Sequence, residues 1–327
     1  GHPFAGHLGP GDAVRIATGA LLPLGADVVV IQEDCDRDGD TLTLTARLPP
    51  PGRHIRAAAS DFRAHDTLLA AGSTMTAAAI ALALAGGHRS VAVRRSPRIS
   101  LIDSGDELVA AGAAGPGQVA ASNAAMLAAM LAGLPVEVRQ QGPIPDRLEA
   151  LRDALAGCAG DDIVVTTGGA SVGDHDLVRP ALAALGAELE FWKVAIKPGK
   201  PLLVAHRQRA EGGRQLILGL PGNPASAFVT AFLFLLPLVR SALGAAAPLP
   251  STISARSLGI LSPAGGRTEF LRARWDGEGV EVLSSQDSGA LRSLAAANAL
   301  IVRPPHAPVV PIGAKVPMHL LHFGGIA

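Results

Sequence analysis

Aromatic residues and net charge are both scarce in this sequence. It contains no tyrosine, and only 3% of its 327 residues are aromatic. Few rings are therefore available to stack on unpaired bases. The 28 lysines and arginines balance the 28 aspartates and glutamates, so a net charge of zero attracts neither nucleic acid nor an anionic membrane. We therefore expect no nucleic-acid partner.

Cysteines and long apolar runs are scarce as well. Cys35 and Cys158 are the only cysteines and form no C-x-x-C pair, which argues against a disulfide framework or a cysteine metal site. Buried thiols in a reducing compartment are expected. The longest apolar run, 225–239, contains a serine, a threonine and a proline and falls short of the ~20 residues that a membrane span needs. We expect a cytoplasmic protein without a membrane partner.

The abundant residues point to a folded protein with many turns. Apolar residues make up 48% of the chain, and there are 38 glycines and 25 prolines. Residues 1–66 are predicted to be β-rich, because 26–32 is rich in β-branched residues and 41–45 alternates with a period of two. Between these two runs, Asp38-Gly39-Asp40 indicates a hairpin turn.

Strands and helices alternate over 97–244. The predicted strands are 98–103, 136–141, 162–167, 192–196 and 215–220. The predicted helices are 123–134, 146–156, 177–185 and 225–243, and an earlier helix over 77–85 belongs to a linker subdomain at 67–96. Continuous apolar strands separated by helices predict a parallel, doubly wound sheet with helices on both faces. In such sheets ligands bind beyond the carboxyl ends of the strands.

The last part of the chain is predicted to be a second small β domain, at 245–327. It opens with an Ala/Pro-rich linker, and its predicted strands are 270–275, 280–283 and 299–302. The predicted fold class is therefore α/β, with a doubly wound sheet domain flanked by two small β-rich domains.

A glycine-rich loop follows the third predicted strand of the sheet. Glycines let a backbone approach a ligand closely, so Gly168, Gly169 and Gly173 are predicted to form an anion cradle. Ser171 and Asp176 add a hydroxyl and a carboxylate, which suit Mg²⁺. A purely structural turn is the alternative. The sequence has no P-loop and no dinucleotide-binding fingerprint.

Three of the four lysines lie within eight residues of one another. They are Lys193, Lys197 and Lys200, and the fourth is Lys315. Because an ammonium group is a compact charge with three donors, this cluster predicts a site for phosphate or another oxyanion. For Lys193 a solvated strand edge is the alternative.

Carboxylates and an amide occupy the neighbouring loops. Asp106 and Glu107 follow the first strand of the sheet, Asp146 follows the second, and Asn223 lies in the Pro221-Gly222-Asn223-Pro224 turn. Acidic groups facing lysines at one sheet edge predict a metal–phosphate site. The alternatives are a helix N-cap for Asp146, a first-turn helix charge for Glu107 and a structural turn for Asn223.

These loops together resemble the molybdopterin molybdenumtransferase family, the MoeA type that is related to the gephyrin E domain. The resemblance runs through the whole chain and is most specific in two turns behind the glycine-rich loop. These turns are Lys197-Pro198-Gly199-Lys200-Pro201 and Gly219-Leu220-Pro221-Gly222-Asn223-Pro224. Shorter matches are Arg15-Ile16-Ala17-Thr18-Gly19-Ala20, Ser104-Gly105-Asp106-Glu107-Leu108, and Gly266-Arg267-Thr268-Glu269-Phe270.

The resemblance implies Mg²⁺-dependent insertion of molybdate into adenylylated molybdopterin, with release of AMP. It also implies a MoaB/Mog-like sheet domain in an elongated, multidomain homodimer. The residues implied for cation binding are Ser171 and Asp176, and those for molybdate or phosphate are Lys197, Lys200, Ser226, Arg267 and Ser288. Those implied for the pterin cleft are Glu107, Asp146 and Lys193, with Thr18, Arg56 and Asp61 facing the cleft from the smaller β domain.

Two departures from the family pattern are visible. The family has a further segment, with a Met-Asp-Gly-Tyr type motif, where this chain begins at Gly1, and Ala121 stands where the family has aspartate ahead of Ser122-Asn123. Each departure removes a carboxylate. A pterin-binding or scaffold module without turnover is therefore the alternative function, and a nucleotide-processing enzyme with the same sheet domain is a third.

Overall fold

The computed structural model describes residues 2–169, 177–209 and 212–321. The chain divides into two compact units, one made of Gly1–Ala70 with Ala81–Gly87 and the other of Ala71–Ile80 with His88–Ala327. The division into four parts predicted above remains a prediction.

The N-terminal unit contains a hairpin of β1 (Cys35–Asp38) and β2 (Thr41–Leu44), preceded by a 3₁₀ turn. The predicted hairpin turn is confirmed, since Asp38 pairs with Thr41. The strand predicted at 26–32 is wrong. Gly52 N donates to Asp27 O and Val29 N donates to Arg53 O, whereas other backbone bonds of the run, such as Ala26 N to Pro23 O, are local turns, so no ladder with a partner strand forms.

Helix α1 spans Ala77–Ala85, the bounds that the sequence predicts. Thr76 Oγ1 accepts a hydrogen bond of 3.2 Å from Ala79 N, as expected of an N-cap. The helix ends where Gly87 takes φ +84°.

The second unit begins with an α/β region. Its strands are β3 (Arg98–Ser104), β4 (Leu108–Val109), β5 (Val119–Ala120), β6 (Glu137–Ile144), β7 (Ile163–Thr167), β8 (Glu188–Trp192), β9 (Ile196–Lys197), β10 (Leu203–Gln208) and β11 (Arg214–Leu220). Its helices are α2 (Asn123–Leu131), α3 (Leu148–Ala156), α4 (Val178–Ala184), α5 (Pro224–Thr230) and α6 (Leu236–Ala242), with a π-helical segment Ala231–Leu235 joining the last two.

Six of these strands form one sheet in the order β6-β3-β7-β11-β10-β8. Strands β6, β3, β7 and β11 are parallel, whereas β10 is antiparallel to both of its neighbours. The prediction of a wholly parallel sheet is therefore wrong at β10, which the sequence did not reveal. The strand predicted at 192–196 is also wrong, because the chain leaves the sheet after Trp192, where Lys193 adopts φ +75°.

Two apolar cores confirm the doubly wound arrangement. On one face, Leu127 of α2 and Phe232 of the π-helical segment pack with Ile163 and Val165 of β7. On the other face, α3 and α4 pack with Val164, which lies between those two β7 residues. Since successive side chains of a strand point to opposite faces, all five residues of β7 are buried because both of its faces are covered.

One helix in the described part of the chain, Pro224–Ala242, is long and apolar enough to cross a membrane. It has 19 residues, more than the apolar run in the sequence suggested, and most of it is buried. Val229, Leu235 and Val239 are fully buried in the core beneath the sheet. Its hydrophobicity is therefore accounted for by packing inside the protein.

The C-terminal region forms a five-stranded barrel. Its strands are β12 (Ile253–Ser257), β13 (Thr268–Trp275), β14 (Gly279–Val282), β15 (Ala299–Arg303) and β16 (Lys315–Leu320), with helix α7 (Leu291–Ala296) between β14 and β15. The order is β14-β12-β16-β15-β13, and pairing of β13 with β14 closes the ring. The three strands predicted here are confirmed. Strand β9, from the α/β region, pairs in parallel with β13.

Candidate active site at the carboxyl edge of the sheet

The strand order brings the loops predicted from the sequence to one edge of the sheet. Because β6, β3, β7 and β11 are parallel neighbours, the loops after them open on the same side. Strand β10 runs the other way, so Lys200, which precedes it, lies at this edge. Lys193, which follows β8, lies there too. We call this the carboxyl edge.

Glycines let three of these loops meet at backbone distance. Gly168 has φ +85°, and a Cβ there would lie 2.2 Å from the carbonyl oxygen of Ser104. A Cβ on Gly222 would lie 3.4 Å from the Cα of Gly168. Gly169 also has positive φ, at +63°. The loops after β3, β7 and β11 therefore form a compact backbone surface that a residue with a side chain at 168 would disrupt.

Two carboxylates are linked to each other through the main chain. Asp146 N donates to Asp106 Oδ1 at 3.0 Å, and Asp106 N lies 3.4 Å from Asp146 Oδ2. Ser104 Oγ donates to Asp146 Oδ1 at 3.2 Å. The N-cap role considered for Asp146 is wrong, because α3 begins after Arg147 and has no side-chain cap. Both carboxylates are exposed, so their oxygens remain open to a ligand.

Glu107 lies in the turn that joins β3 to β4, and no helix follows it. The first-turn helix charge considered for this residue is therefore wrong. Its carboxylate lies over Gly105, where an added Cβ would come within 2.6 Å of Glu107 Oε2. The glycine thus leaves room for the acidic side chain at the carboxyl edge.

The three clustered lysines have different surroundings. Lys193 has φ +75°, and its Nζ lies 3.8 Å from the centre of the Trp192 ring. Lys197 lies on β9, with Nζ 3.2 Å from Glu269 Oε1 of β13. Lys200 is exposed. A bulky residue in a left-handed conformation is uncommon, and such strain is often found at functional sites.

The turn between Lys197 and Lys200 rests on helix α5. Gly199 has φ +107°, and a Cβ there would lie 2.4 Å from Thr230 Cγ2. Thr230 Oγ1 donates to Ser226 O at 2.7 Å, one helical turn back. Ser226, predicted to bind an anion, is only 5% exposed. This packing fixes the lysine turn against the helix on which Ser226 lies.

The barrel contributes two of the predicted residues next to this turn. Arg267 Nη1 donates to Ile196 O of β9 at 3.3 Å. Asn223 Nδ2 donates to Ser288 Oγ at 2.9 Å, and Ala225 N donates to Ser288 O at 3.0 Å. The structure therefore brings Lys197 together with Arg267, and Asn223 together with Ser288, although these residues are far apart in sequence.

Sequence reasoning missed a buried polar network beneath the loops. Asp103, 4% exposed, accepts hydrogen bonds from Thr167 Oγ1 at 2.6 Å and from Ala124 N at 3.1 Å. Asn123 Nδ2 donates to Gly222 O at 2.7 Å. Asp103 thus ties the ends of β3 and β7 to the start of α2. The sequence did contain a signal for this network, since Asp103 directly follows the apolar residues of a predicted buried strand. A charged residue is rarely buried without hydrogen-bond partners, so partners for Asp103 could have been expected.

The remaining predicted site residues fall into three groups. Thr18, Arg56 and Asp61 are exposed and belong to the N-terminal unit. Ser171, Gly173 and Asp176 lie outside the described residues. Pro221 is buried at the end of β11. Within the ranges that the structure describes, no group of three or more His, Cys, Asp or Glu residues could hold a metal.

The opposite end of the sheet carries a charge network of its own. Arg95 binds Asp162 through two hydrogen bonds, of 2.6 and 2.7 Å, and Arg209 contacts the same carboxylate. Arg98 N also donates to Asp162, at 2.8 Å. The bonded Arg95 guanidinium holds the pKa of Asp162 well below its usual range. A cavity of about 270 Å³ lies here, lined in part by Arg94 and Arg214.

Three protein-family models match consecutive parts of the chain. The model described as "MoeA N-terminal region (domain I and II)" matches residues 1–87. The model described as "Probable molybdopterin binding domain" matches 100–241, which holds the carboxyl edge. The model described as "MoeA C-terminal region (domain IV)" matches 255–321.

Known sequences and structures agree with these models. A protein named molybdopterin molybdenumtransferase from Nostoc sp. is 37% identical over 305 residues, covering 91% of this chain and 69% of the relative. Molybdopterin molybdenumtransferase 2 from Mycobacterium tuberculosis is 35% identical over 327 residues, covering 94% and 77%. The crystal structure of the molybdopterin biosynthesis moeA protein from Pyrococcus horikoshii OT3 superposes with a TM-score of 0.80 at 25% identity, covering 98% of this chain and 78% of that one.

Proposed function

Since this chain belongs to the molybdopterin molybdenumtransferase family, a family of transferases in molybdenum cofactor biosynthesis, we propose that it inserts molybdate into adenylylated molybdopterin and releases AMP. The observation that carries the proposal is the carboxyl edge itself. There the glycine turn at Gly168, the linked carboxylates Asp106 and Asp146, and Lys193 and Lys200 share one rim of the sheet.

The backbone surface around Gly168 and Gly222 would receive the phosphates of the pterin substrate. Main-chain N–H groups in glycine turns bind phosphate oxygens without the steric obstacle of a side chain. The continuous helix that begins at Pro224 starts directly beyond Asn223, with the positive end of its dipole toward this edge. Phosphate binding is thus supported by both charge and backbone geometry.

Molybdate, a tetrahedral dianion, would bind where the lysine turn meets the barrel. Lys197, Lys200 and Arg267 supply positive charge there, and Ser226 and Ser288 supply hydroxyls. The side chain of Lys197 is 54% exposed even though its Nζ pairs with Glu269, so we expect the ammonium group to be within reach of a ligand from solvent. An incoming oxyanion therefore has access to Lys197 without first breaking its ion pair.

The donors at the carboxyl edge fit the chemistry of Mg²⁺. Asp106 and Asp146 present exposed carboxylate oxygens, which this cation prefers. The residues that would hold it are Asp146 together with Ser171 and Asp176, which the family resemblance implies. When bound, Mg²⁺ would supply positive charge to offset the charge on the phosphate oxygens.

Cleavage of the adenylate requires a water molecule and an acceptor for its proton. The water oxygen bonds to the adenylyl phosphorus, the bridging P–O bond breaks, and AMP leaves. We assign the proton to the Glu107 carboxylate, which is exposed at the same edge. Lys193 would stabilise the negative charge that develops on the leaving phosphate. The resemblance further implies a homodimer in which Thr18, Arg56 and Asp61 face the cleft.

Molybdate-dependent release of AMP tests the proposal. We expect Lys197→Ala to lower kcat/KM for molybdate about 100-fold, because a positive charge on the oxyanion is lost. Lys315→Ala is the matched control, since it removes an exposed lysine from β16 of the barrel. AMP release by Lys197→Ala at the rate of Lys315→Ala would contradict the assignment.

The pterin-binding module without turnover is a second candidate, because Ala121, two residues before α2, stands where the family resemblance implies an acidic residue. It predicts that the wild-type chain binds adenylylated molybdopterin but releases no AMP when molybdate is added. Restoring the acid with Ala121→Asp would then be expected to restore turnover.

A further inference from the structure

Two side-chain amides bind the backbone of the same barrel strand, β13, in the same way. Gln286 Oε1 accepts from Arg272 N, and its Nε2 donates to Arg272 O, both at 2.9 Å. Asn298 makes the same pair of bonds to the N and O of Trp275, both at 2.7 Å. Gln286 belongs to the loop that carries Ser288, whereas Asn298 lies between α7 and β15. Asn298 therefore serves as a control for Gln286, because it binds the same strand in the same way but does not belong to the Ser288 loop.

The side chain of Arg272 also binds the loop that carries Ser288. It is 1% exposed, and its Nη2 donates to Ser285 O at 3.1 Å and to Asp287 O at 2.8 Å. Its Nε and Nη1 have no hydrogen-bond partner among the described residues. Burial lowers the pKa of this guanidinium. Burying a cation without a full set of partners is costly, so its presence here calls for an explanation.

The loop is fixed on its other side by the start of helix α5. Ser288 O accepts from Ala225 N, and Ser288 Oγ accepts from Asn223 Nδ2. Because the Asn223 amide occupies a lone pair of the hydroxyl oxygen, the O–H of Ser288 is directed elsewhere and remains able to donate. An oriented hydroxyl donor of this kind suits an oxyanion.

We propose that Arg272 and Gln286 are positioning residues for the oxyanion subsite. They attach the 285–288 loop to β13, so that the Ser288 hydroxyl stands at a fixed place beside Asn223 and the start of α5. Neither residue needs to touch molybdate. The proposal rests on the proposed function, and it names residues whose effect reaches the substrate only through Ser288.

The KM for molybdate separates positioning from general stability. We expect Gln286→Ala to raise this KM about tenfold, since both hydrogen bonds that attach the loop to Arg272 are lost. The kcat at saturating molybdate and the KM for the pterin substrate should stay near wild type, because the loops around Gly168 are untouched. Asn298→Ala should lose a similar amount of stability with no change in the KM for molybdate.

Substitution of Arg272 provides a second test. Arg272→Met removes both the charge and the two bonds to the loop, and Arg272→Lys keeps a charge that can donate to a carbonyl. We expect the rise in KM for Arg272→Met to exceed that for Arg272→Lys, so that the conservative variant restores part of the affinity. If Arg272→Met does not fold, the comparison of Gln286→Ala with Asn298→Ala decides the matter.

Hydrogen exchange gives a readout that needs no activity. Gln286→Ala should speed exchange at the amides of Ala225 and Gly289, whose bonds depend on the loop, and Asn298→Ala should not. Equal KM values for molybdate in the two variants, or equal exchange at Ala225, would overturn the positioning role. Absence of AMP release in the wild-type chain would instead overturn the proposed function and leave the exchange result to decide the positioning.

Discussion

The two ends of the six-stranded sheet use charged side chains in opposite ways. At the amino end, Asp162 binds Arg95, and Asp161 binds Arg139 at 3.1 Å. At the carboxyl edge, Asp106 and Asp146 bond to each other's main-chain N–H groups, and no ion pair of either is found among the described residues. Charges that neutralise one another stabilise the fold, whereas unpaired charges remain available to bind a substrate.

The comparison shows that residue type alone does not mark a site. The amino end has more arginines than the carboxyl edge has lysines. Two of these arginines, Arg95 and Arg209, already bind the Asp162 carboxylate and are therefore not available to a ligand. What distinguishes the carboxyl edge is the set of loops after parallel strands, with glycines where backbones meet.

The largest effect is expected from an added methyl group at a glycine. Gly168→Ala places a Cβ 2.2 Å from Ser104 O and should lower the free energy of unfolding by about 3 kcal/mol or more. Gly213→Ala is the matched control, because Gly213 has a similar φ of +83° near the amino end with nothing within 4 Å. It should lose about 1 kcal/mol. Urea unfolding measures both, and equal losses would contradict the close contact.

Removing a carboxylate from the amino end should affect stability but leave AMP release unchanged. Asp162→Asn should lower the free energy of unfolding by about 1–2 kcal/mol at neutral pH, a moderate value because Arg95 is largely exposed. The folded state lowers the pKa of Asp162, so its stabilisation is present above the unfolded-state pKa of about 3.9 and is lost as the pH falls below it. The difference between wild type and variant should therefore shrink between about pH 5 and pH 2 in urea titrations. A difference that does not change with pH would contradict the assignment.

The smallest effect is expected at Lys193, where the backbone conformation and the ammonium group can be separated. Lys193→Gly and Lys193→Ala both remove the charge, but only glycine adopts φ +75° without strain. We expect the glycine variant to be more stable by about 1 kcal/mol in urea unfolding, and both to release AMP equally slowly. A faster glycine variant would show that the backbone conformation, rather than the ammonium group, limits the reaction.

The sheet was the part of the fold most accessible from the sequence. Strands such as β7 are buried on both faces and contain an unbroken apolar run, here Ile163-Val164-Val165, and α1 is bounded by Thr76 and two glycines. Strand β10 was missed because His206, Arg207 and Gln208 fill half of it. His206 is buried through its position beside β8, which carries Glu190 with Oε1 2.9 Å from the His206 ring. Such a contact depends on strand order, which local pattern does not reveal.

The site was predictable to a similar, limited degree. The clustering of lysines and the glycine-rich loop pointed to anion binding, and the parallel strands predicted a common edge. Ser288 and Arg267 were reached only through the family resemblance, because no local pattern marks them. Asp103 and Glu269 were not singled out, since their importance lies in partners 64 and 72 residues away.

Strand β9 has a consequence for dissecting this molecule. Its two residues, Ile196 and Lys197, leave the α/β region and cover the edge of β13, where Thr268 pairs with Ile196. A recombinant fragment cut at the Ala/Pro-rich stretch near residue 245 would lose this cover and expose the main-chain groups of β13 at Thr268 and Glu269. The boundary that looks natural in the sequence would thus produce a fragment prone to self-association through this edge.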